Sequence, residues 1–152
     1  TMINARSETV AERPAFREAF KKRRCVVLAS GWYEWKGEGK TKRPHWFHAA
    51  GGELLPLAGL WERWVDQATG EELRTCTVMT TAPNPMAAQV HDRMPVVLDR
   101  ADLDAWTGAA TPAERLHALL RACPEERLAV YEVDRRVGKP AENDPGLIVR
   151  AA

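Results

Sequence analysis

The sequence of 152 residues lacks several things, and each absence removes a class of protein. No stretch approaches the roughly 20 consecutive apolar residues of a membrane-spanning helix, and no segment has the build of a secretory leader. Neither sign of charge dominates: 22 Lys and Arg face 21 Asp and Glu, a net charge of +1. The chain is therefore not a polybasic or polyacidic tail, although a local basic patch can sit on a neutral protein. Cysteine is scarce. Cys25, Cys76 and Cys123 are widely spaced and odd in number, which argues against a disulfide scaffold and fits a reducing cytoplasm. There is no Cys-x-x-Cys pair, no glycine-rich phosphate loop, no nucleophile elbow and no internal repeat. Phenylalanine and tyrosine are few, three and two, yet there are six tryptophans. Core packing alone rarely demands that bias, whereas flat surfaces for stacking would.

With 45% apolar and 28% charged residues, the composition is that of one soluble globular domain over residues 1–152, long enough to bury a core. Pro14 opens an expected amphipathic helix over Ala15 to Lys22, with Phe16, Ala19 and Phe20 on one side. Cys25 to Ser30 is a short apolar run that reads as a buried strand, and Trp32 to Lys36 as a second. The polar, glycine-punctuated stretch from Gly37 to Pro44 forms a hairpin loop. Further strands are expected over His45 to Ala50, Leu54 to Val65, Leu73 to Thr80 and Met94 to Leu98. Helices follow at Ala101 to Trp106 and Pro112 to Arg121. Thr111 is the expected N-cap of the latter, with Glu114 completing a capping box. A last strand, Leu128 to Val133, precedes an irregular tail. Hairpin-linked strands with helices set apart give an α+β, β-rich fold: a strongly bent or barrel-like, mostly antiparallel sheet with a few peripheral helices.

Two places carry residues suited to chemistry. Glu34 shares a strand face with Trp32, while Tyr33 and Trp35 point the other way. A carboxylate held against an indole is partly desolvated, which raises its pKa and suits it to moving protons near neutrality. The competing reading is an exposed edge-strand glutamate. His91, in His91-Asp92-Arg93-Met94-Pro95, lies between a proline-broken loop and an apolar strand and can act as acid or base at physiological pH. Its competing reading is a solvent-facing loop histidine paired with Asp92. Asn4 and Arg6 are weaker signals, an amide that can orient a carbonyl and a guanidinium that can clamp a phosphate. His45 and His48 suggest zinc, but three residues apart on a strand they face opposite sides, so no metal or other cofactor is expected. The basic residues Lys36, Lys40, Lys42 and Arg43, and the run Lys21 to Arg24, either contact a phosphate backbone or form solvated faces.

Taken in order, Asn4-Ala5-Arg6-Ser7-Glu8-Thr9, Arg24-Cys25, Gly31-Trp32-Tyr33-Glu34-Trp35, Ala58-Gly59-Leu60-Trp61, Thr80-Thr81 with Pro83, and His91-Asp92-Arg93-Met94-Pro95 resemble the SOS-response-associated peptidase (SRAP) family. Val137-Gly138 and Asn143-Asp144-Pro145 through Leu147-Ile148 extend the likeness over nearly the whole chain. The resemblance implies a sensor of abasic sites in single-stranded DNA, working in the cytoplasm at the nucleoid. Its N-terminal Cys attacks the ring-opened sugar through the α-amine, giving a Schiff base, and the thiol closes a thiazolidine. Glu34 would move protons, His91 would assist ring opening, and Asn4 would position the cysteine and sugar. Arg6 and Arg93 would hold phosphates, and Thr80 and Trp35 would lie against the DNA. The peptidase activity proposed in the family's name is best understood as self-removal of the initiator Met, so general proteolysis is not expected.

Against that pattern, the family's Cys-Gly-Arg start and the residues before Asn-Ala-Arg are absent, and Thr1 has an amine but no thiol. The internal cysteines have their nitrogens in peptide bonds. Val137-Gly138-Lys139-Pro140 lacks the family's Asn after the glycine. The expectation is a partial SRAP domain that does not crosslink by itself, with sheet edges left unpaired. The alternative function is a non-covalent single-strand binding module, and a conventional hydrolase has the least support.

Overall fold

A computed structural model describes residues 2–152, and Thr1 lies outside the described residues. The chain forms two compact units. One comprises residues 2–28, 56–82 and 95–123, the other residues 29–55, 83–94 and 124–152. The strands, in chain order, are β1 Asn4–Arg6, β2 Arg24–Ala29, β3 Gly31–Lys36, β4 Arg43–Ala49, β5 Leu55–Val65, β6 Glu72–Thr81, β7 Met94–Pro95 and β8 Leu128–Glu132. The helices are α1 Arg17–Lys22, α2 Pro85–Ala88, α3 Leu103–Thr107 and α4 Ala113–Leu119, with short 3-10 turns between and after them.

The α+β expectation holds, with the strands divided between two open sheets that do not close into a barrel. The first unit is built on the order β1-β6-β5-β2. β5 and β6 pair antiparallel from Gly59 opposite Val78 to Val65 opposite Glu72. β1 adds a parallel edge, with Asn4 beside Val78 and Arg6 beside Thr80. Strand alternation sends Ala5 inward and leaves Asn4 and Arg6 exposed. The core gathers Val10, Phe20, Leu60, Met79, Leu98 and Trp106, each at most 3% exposed. The Trp106 indole N–H donates to the Cys25 carbonyl at 2.8 Å, so its one polar atom is satisfied where its ring is buried.

Arg24 is a buried charged residue of the same unit, 9% exposed. Its guanidinium donates to the carbonyls of Phe20, Lys21, Trp106 and Gly108 at 2.6–2.7 Å. A planar fork of five donors is suited to such a site. Two of those carbonyls belong to the end of α1, where helix carbonyls have no partner of their own. The basic run thus has an inner member, and its neighbour Arg23 pairs with Glu62 at 2.5 Å.

Several expected boundaries and one cap differ. α1 begins at Arg17, not Ala15, because residues 9–16 are spent in turns: the Thr9 carbonyl accepts both the Glu12 and Arg13 N–H groups, and the Arg13 carbonyl accepts those of Phe16 and Arg17. The capping box does not form. Pro112, extended at ψ 147°, occupies the cap position of α4, and the Thr111 hydroxyl donates to the Ala105 carbonyl at 2.7 Å. The regular strand expected to reach Leu98 stops at Pro95. Beyond it the Val96 N–H donates to Met79 and the Leu98 N–H to Pro56, so consecutive donors serve different strands and no ladder continues.

The second unit carries the sheet β3-β4-β8, antiparallel throughout. Its aromatic side chains pair across strands. Trp32 stacks on Phe47, rings 4.8 Å apart and 10° from parallel, and Tyr33 meets Trp46 at 4.7 Å. Such pairs are what stabilises an antiparallel sheet. The tail returns to β8: the Ala151 N–H donates to Glu132 and the Tyr131 hydroxyl to the Ile148 carbonyl at 2.7 Å. Arg136 grips Asp144 and Glu142, with contacts of 2.5–2.9 Å. The Asp144 carboxyl is thereby lowered to about 2.

Candidate functional site

Within the second unit the site grows from β3. Gly31 opens the strand because a Cβ there would collide with the Phe47 carbonyl oxygen and the Trp46 ring. With β4 that close, the pleat fixes the faces of the following residues. Trp32 and Glu34 lie on one, opposite Phe47 and His45, and Tyr33 and Trp35 lie on the other. The Glu34 carboxylate is 23% exposed. Loss of solvation raises its pKa above the ordinary carboxylate range; nearby His91 pulls it down and Asp92 pushes it up. Trp35 is half-buried, 6.4 Å from the Tyr33 ring.

His91 approaches Glu34 from a different part of the chain. Its Nδ1 lies 3.8 Å from the Glu34 carboxylate and 3.3 Å from the Asp92 carboxylate, which is 88% exposed. The Arg93 backbone N–H faces the same Nδ1 at 3.1 Å. The Arg93 carbonyl also lies 3.3 Å from that nitrogen, so Nδ1 is placed to accept from or donate to the Arg93 backbone according to its tautomer. The histidine of the site is 40% exposed, reachable by a ligand while its neighbour is half-desolvated. Nδ1 thus has two carboxylate neighbours, Asp92 from its own loop and Glu34 from β3.

The loop is shaped by a residue with no part in the sequence expectations. Asn84 is 6% exposed and caps α2: its side-chain oxygen accepts the Ala87 N–H at 2.9 Å, with Pro85 in the first helical position. An Asn-Pro pair before a short apolar stretch is a helix start, and that was the available signal. The Ala87 carbonyl then accepts the backbone N–H groups of Val90 and His91 at 3.0 and 2.9 Å.

The first unit holds Asn4, Arg6 and Thr80 on its edge pair. The Ser7 N–H donates to the Thr80 carbonyl at 2.8 Å, and the Thr80 hydroxyl reaches the Ala5 carbonyl at 3.5 Å. Beside this edge lies a groove of about 230 Å³ lined by Met2, Asn4, Arg6, Thr9, Arg13 and Phe16. Arg13 carried no local signal; the turn in which the Thr9 carbonyl accepts the Arg13 N–H at 3.0 Å brings it there. A second hollow of about 310 Å³ on the same unit is mostly apolar and includes Trp61, Trp64 and Leu73. Of the six tryptophans, Trp46 and Trp106 are core residues at 6% and 0% exposure, whereas Trp64 is 56% exposed. The tryptophan excess thus divides between packing and surface.

His45 and His48 are each oriented by backbone: Nδ1 faces the Arg43 carbonyl at 3.0 Å and the Ala49 carbonyl at 2.8 Å. Among the described residues no three His, Cys, Asp or Glu side chains gather as a metal site would require. Of the loop cations, Arg43 pairs with Glu132 at 3.3 Å.

The SOS response associated peptidase (SRAP) family model matches residues 1–140. The abasic site processing protein YoqW of Bacillus subtilis is 38% identical over 149 residues, covering 97% of this chain and 66% of its own length. The abasic site processing protein HMCES of Gallus gallus is 30% identical over 167 residues, covering 96% of this chain and 49% of its own. A crystal structure of a protein from Bacteroides thetaiotaomicron superposes with a TM-score of 0.91 at 32% identity, covering 98% of this chain and 66% of that one. The chain thus spans just under two thirds of the length of YoqW. A family match over nearly all of these residues, joined to a solved structure of the same fold, identifies the chain as a member of the SRAP family.

Proposed function

We propose that this chain carries the proton-transfer and DNA-contacting residues of a sensor of abasic sites in single-stranded DNA, which protects the lesion as a covalent DNA–protein crosslink. Support comes from the family and its abasic site processing members. The observation that carries the reading is Glu34 beside His91, a desolvated carboxylate 3.8 Å from a half-exposed imidazole. The nucleophile is an N-terminal cysteine outside these residues.

An abasic sugar must first open to its aldehyde. His91, partly exposed beside Glu34, assists that proton movement. Attack of the α-amine on the aldehyde carbon gives a carbinolamine. Glu34, held protonated more readily than an ordinary carboxylate, donates to the departing hydroxyl, and water leaves as the imine forms. The thiol then adds to the imine carbon while its proton passes to nitrogen, closing the thiazolidine. Asn4 orients the cysteine and sugar through its amide. Arg6 and Arg93 hold flanking phosphates by charge-assisted hydrogen bonds, with Thr80 and Trp35 against the strand.

The test uses the polypeptide with its N-terminal cysteine and an oligonucleotide bearing one abasic site. Glu34→Gln and His91→Ala should each slow covalent product formation about 10²-fold or more, the ordinary contribution of a proton-transferring group. Unchanged rates in both variants would remove these residues from the reaction. The groove with Arg6 and Arg13 favours one second reading, a non-covalent single-strand binder. Salt-dependent binding indifferent to the lesion, with no covalent product, would establish it instead.

A further inference from the structure

The site needs His91 at a fixed distance from Glu34, yet His91 sits on a loop and its nearest helix, α2, has only four residues. A helix that short does not hold itself together in water. The Asn84 side chain accepts the Ala87 N–H at 2.9 Å and the Asn84 carbonyl accepts the Ala88 N–H at 2.9 Å. The Asn84 N–H points at the Met94 sulfur, 3.3 Å away on the far side of the loop. Ala87, 2% exposed, is thus pinned, and its carbonyl receives the His91 backbone N–H at 2.9 Å.

We propose that Asn84 is a positioning residue for His91: through the cap on α2 and the Ala87 carbonyl it fixes the imidazole beside the Glu34 carboxylate. The effect runs through the backbone of α2 and the Ala87 carbonyl. The inference rests on the reading of Glu34 and His91 as partners. Without the side-chain acceptor, the last turn of the loop is released and the 3.8 Å separation from Glu34 is no longer enforced.

The test is an NMR titration of the Glu34 carboxyl in the chain without DNA. The charged groups that act on this carboxyl are His91 and Asp92, both on the loop. His91→Ala supplies the yardstick, because the imidazole pulls the Glu34 midpoint down and losing it lets that midpoint rise. Asn84→Ala should move the midpoint in the same direction by at least half as much. Asn84→Ser, which keeps a capping oxygen, should restore the wild-type value. Asn84→Gly, which deletes the acceptor but suits a cap backbone, should behave like the alanine variant and guards against misfolding of the latter. A wild-type midpoint in folded Asn84→Ala or Asn84→Gly would overturn the proposal. So would failure of both to fold, which would make Asn84 a residue of the fold alone. An unmoved Glu34 midpoint leaves the DNA reading standing, and a chain indifferent to abasic DNA leaves the Glu34 result standing.

Discussion

Arg24→Met is the substitution whose cost can be worked most directly from the structure. The methionine stem fills much of the space of the arginine stem but supplies no donors, and four carbonyls lose their partners at once. The Phe20 and Trp106 carbonyls are bonded in buried surroundings, and each costs about 1–3 kcal/mol when left unsatisfied. Those of Lys21 and Gly108 are partly buried and regain water. Against this stands relief from burying a cation, a strain visible in the downward pull of burial on the Arg24 pKa. The balance is a loss of about 3 kcal/mol. Arg24→Lys should fall between, because one ammonium with three donors cannot satisfy a fork-shaped set of four acceptors. Urea unfolding followed by tryptophan fluorescence measures this, since Trp106 lies at the centre of the affected core. The midpoint should fall with the slope unchanged. A loss under about 1 kcal/mol for Arg24→Met would refute the reasoning, because it would mean the carbonyls find other partners.

Gly31→Ala should cost about 1–3 kcal/mol by overpacking, since the added carbon meets backbone and an indole rather than a flexible chain end; unfolding stability at the wild-type level would contradict it. The Glu34 pKa is raised in the folded protein, so folding binds that proton. The stabilisation is full below the unfolded value of about 4.3 and disappears as pH rises through the folded value. Glu34→Gln should therefore gain stability relative to wild type between pH 4 and pH 7, and paired urea titrations showing a flat or inverted difference would count against the burial of this carboxylate. Alkylation should label Cys76 first, because it is exposed, while Cys123 is buried. Cys25 should lag, since burial and then Cys76 push its thiol up and deplete the thiolate; mass mapping after brief iodoacetamide treatment with Cys25 labelled first would overturn this.

Much of the candidate site was legible because strand geometry is periodic. Once Trp32 to Lys36 is a strand, the pleat alone puts Glu34 with Trp32 and away from Tyr33 and Trp35, and the structure has that arrangement. The same logic put His45 and His48 on opposite faces. Illegible features came from groups whose partners lie far along the chain. Thr111 has good capping chemistry, yet its hydroxyl is taken by Ala105. Arg24 sits in a run of four basic residues and looks like its neighbours, but carbonyls more than 80 positions away draw it inward. Two of the six tryptophans, suggestive of stacking surfaces, are buried in cores for reasons no local pattern contains.

The sequence by itself determined the α+β class, the facing of Glu34 and the ordered motif set that identifies the family, because these depend on residue type and on period along the chain. Only the tertiary structure decided that strands divide between two open sheets, that β1 runs parallel to β6, and that His91 reaches Glu34 from 57 positions away in the sequence. A carboxylate's proton affinity is set by what excludes water around it and by which charges lie near it, and those neighbours are assembled only when distant segments pack.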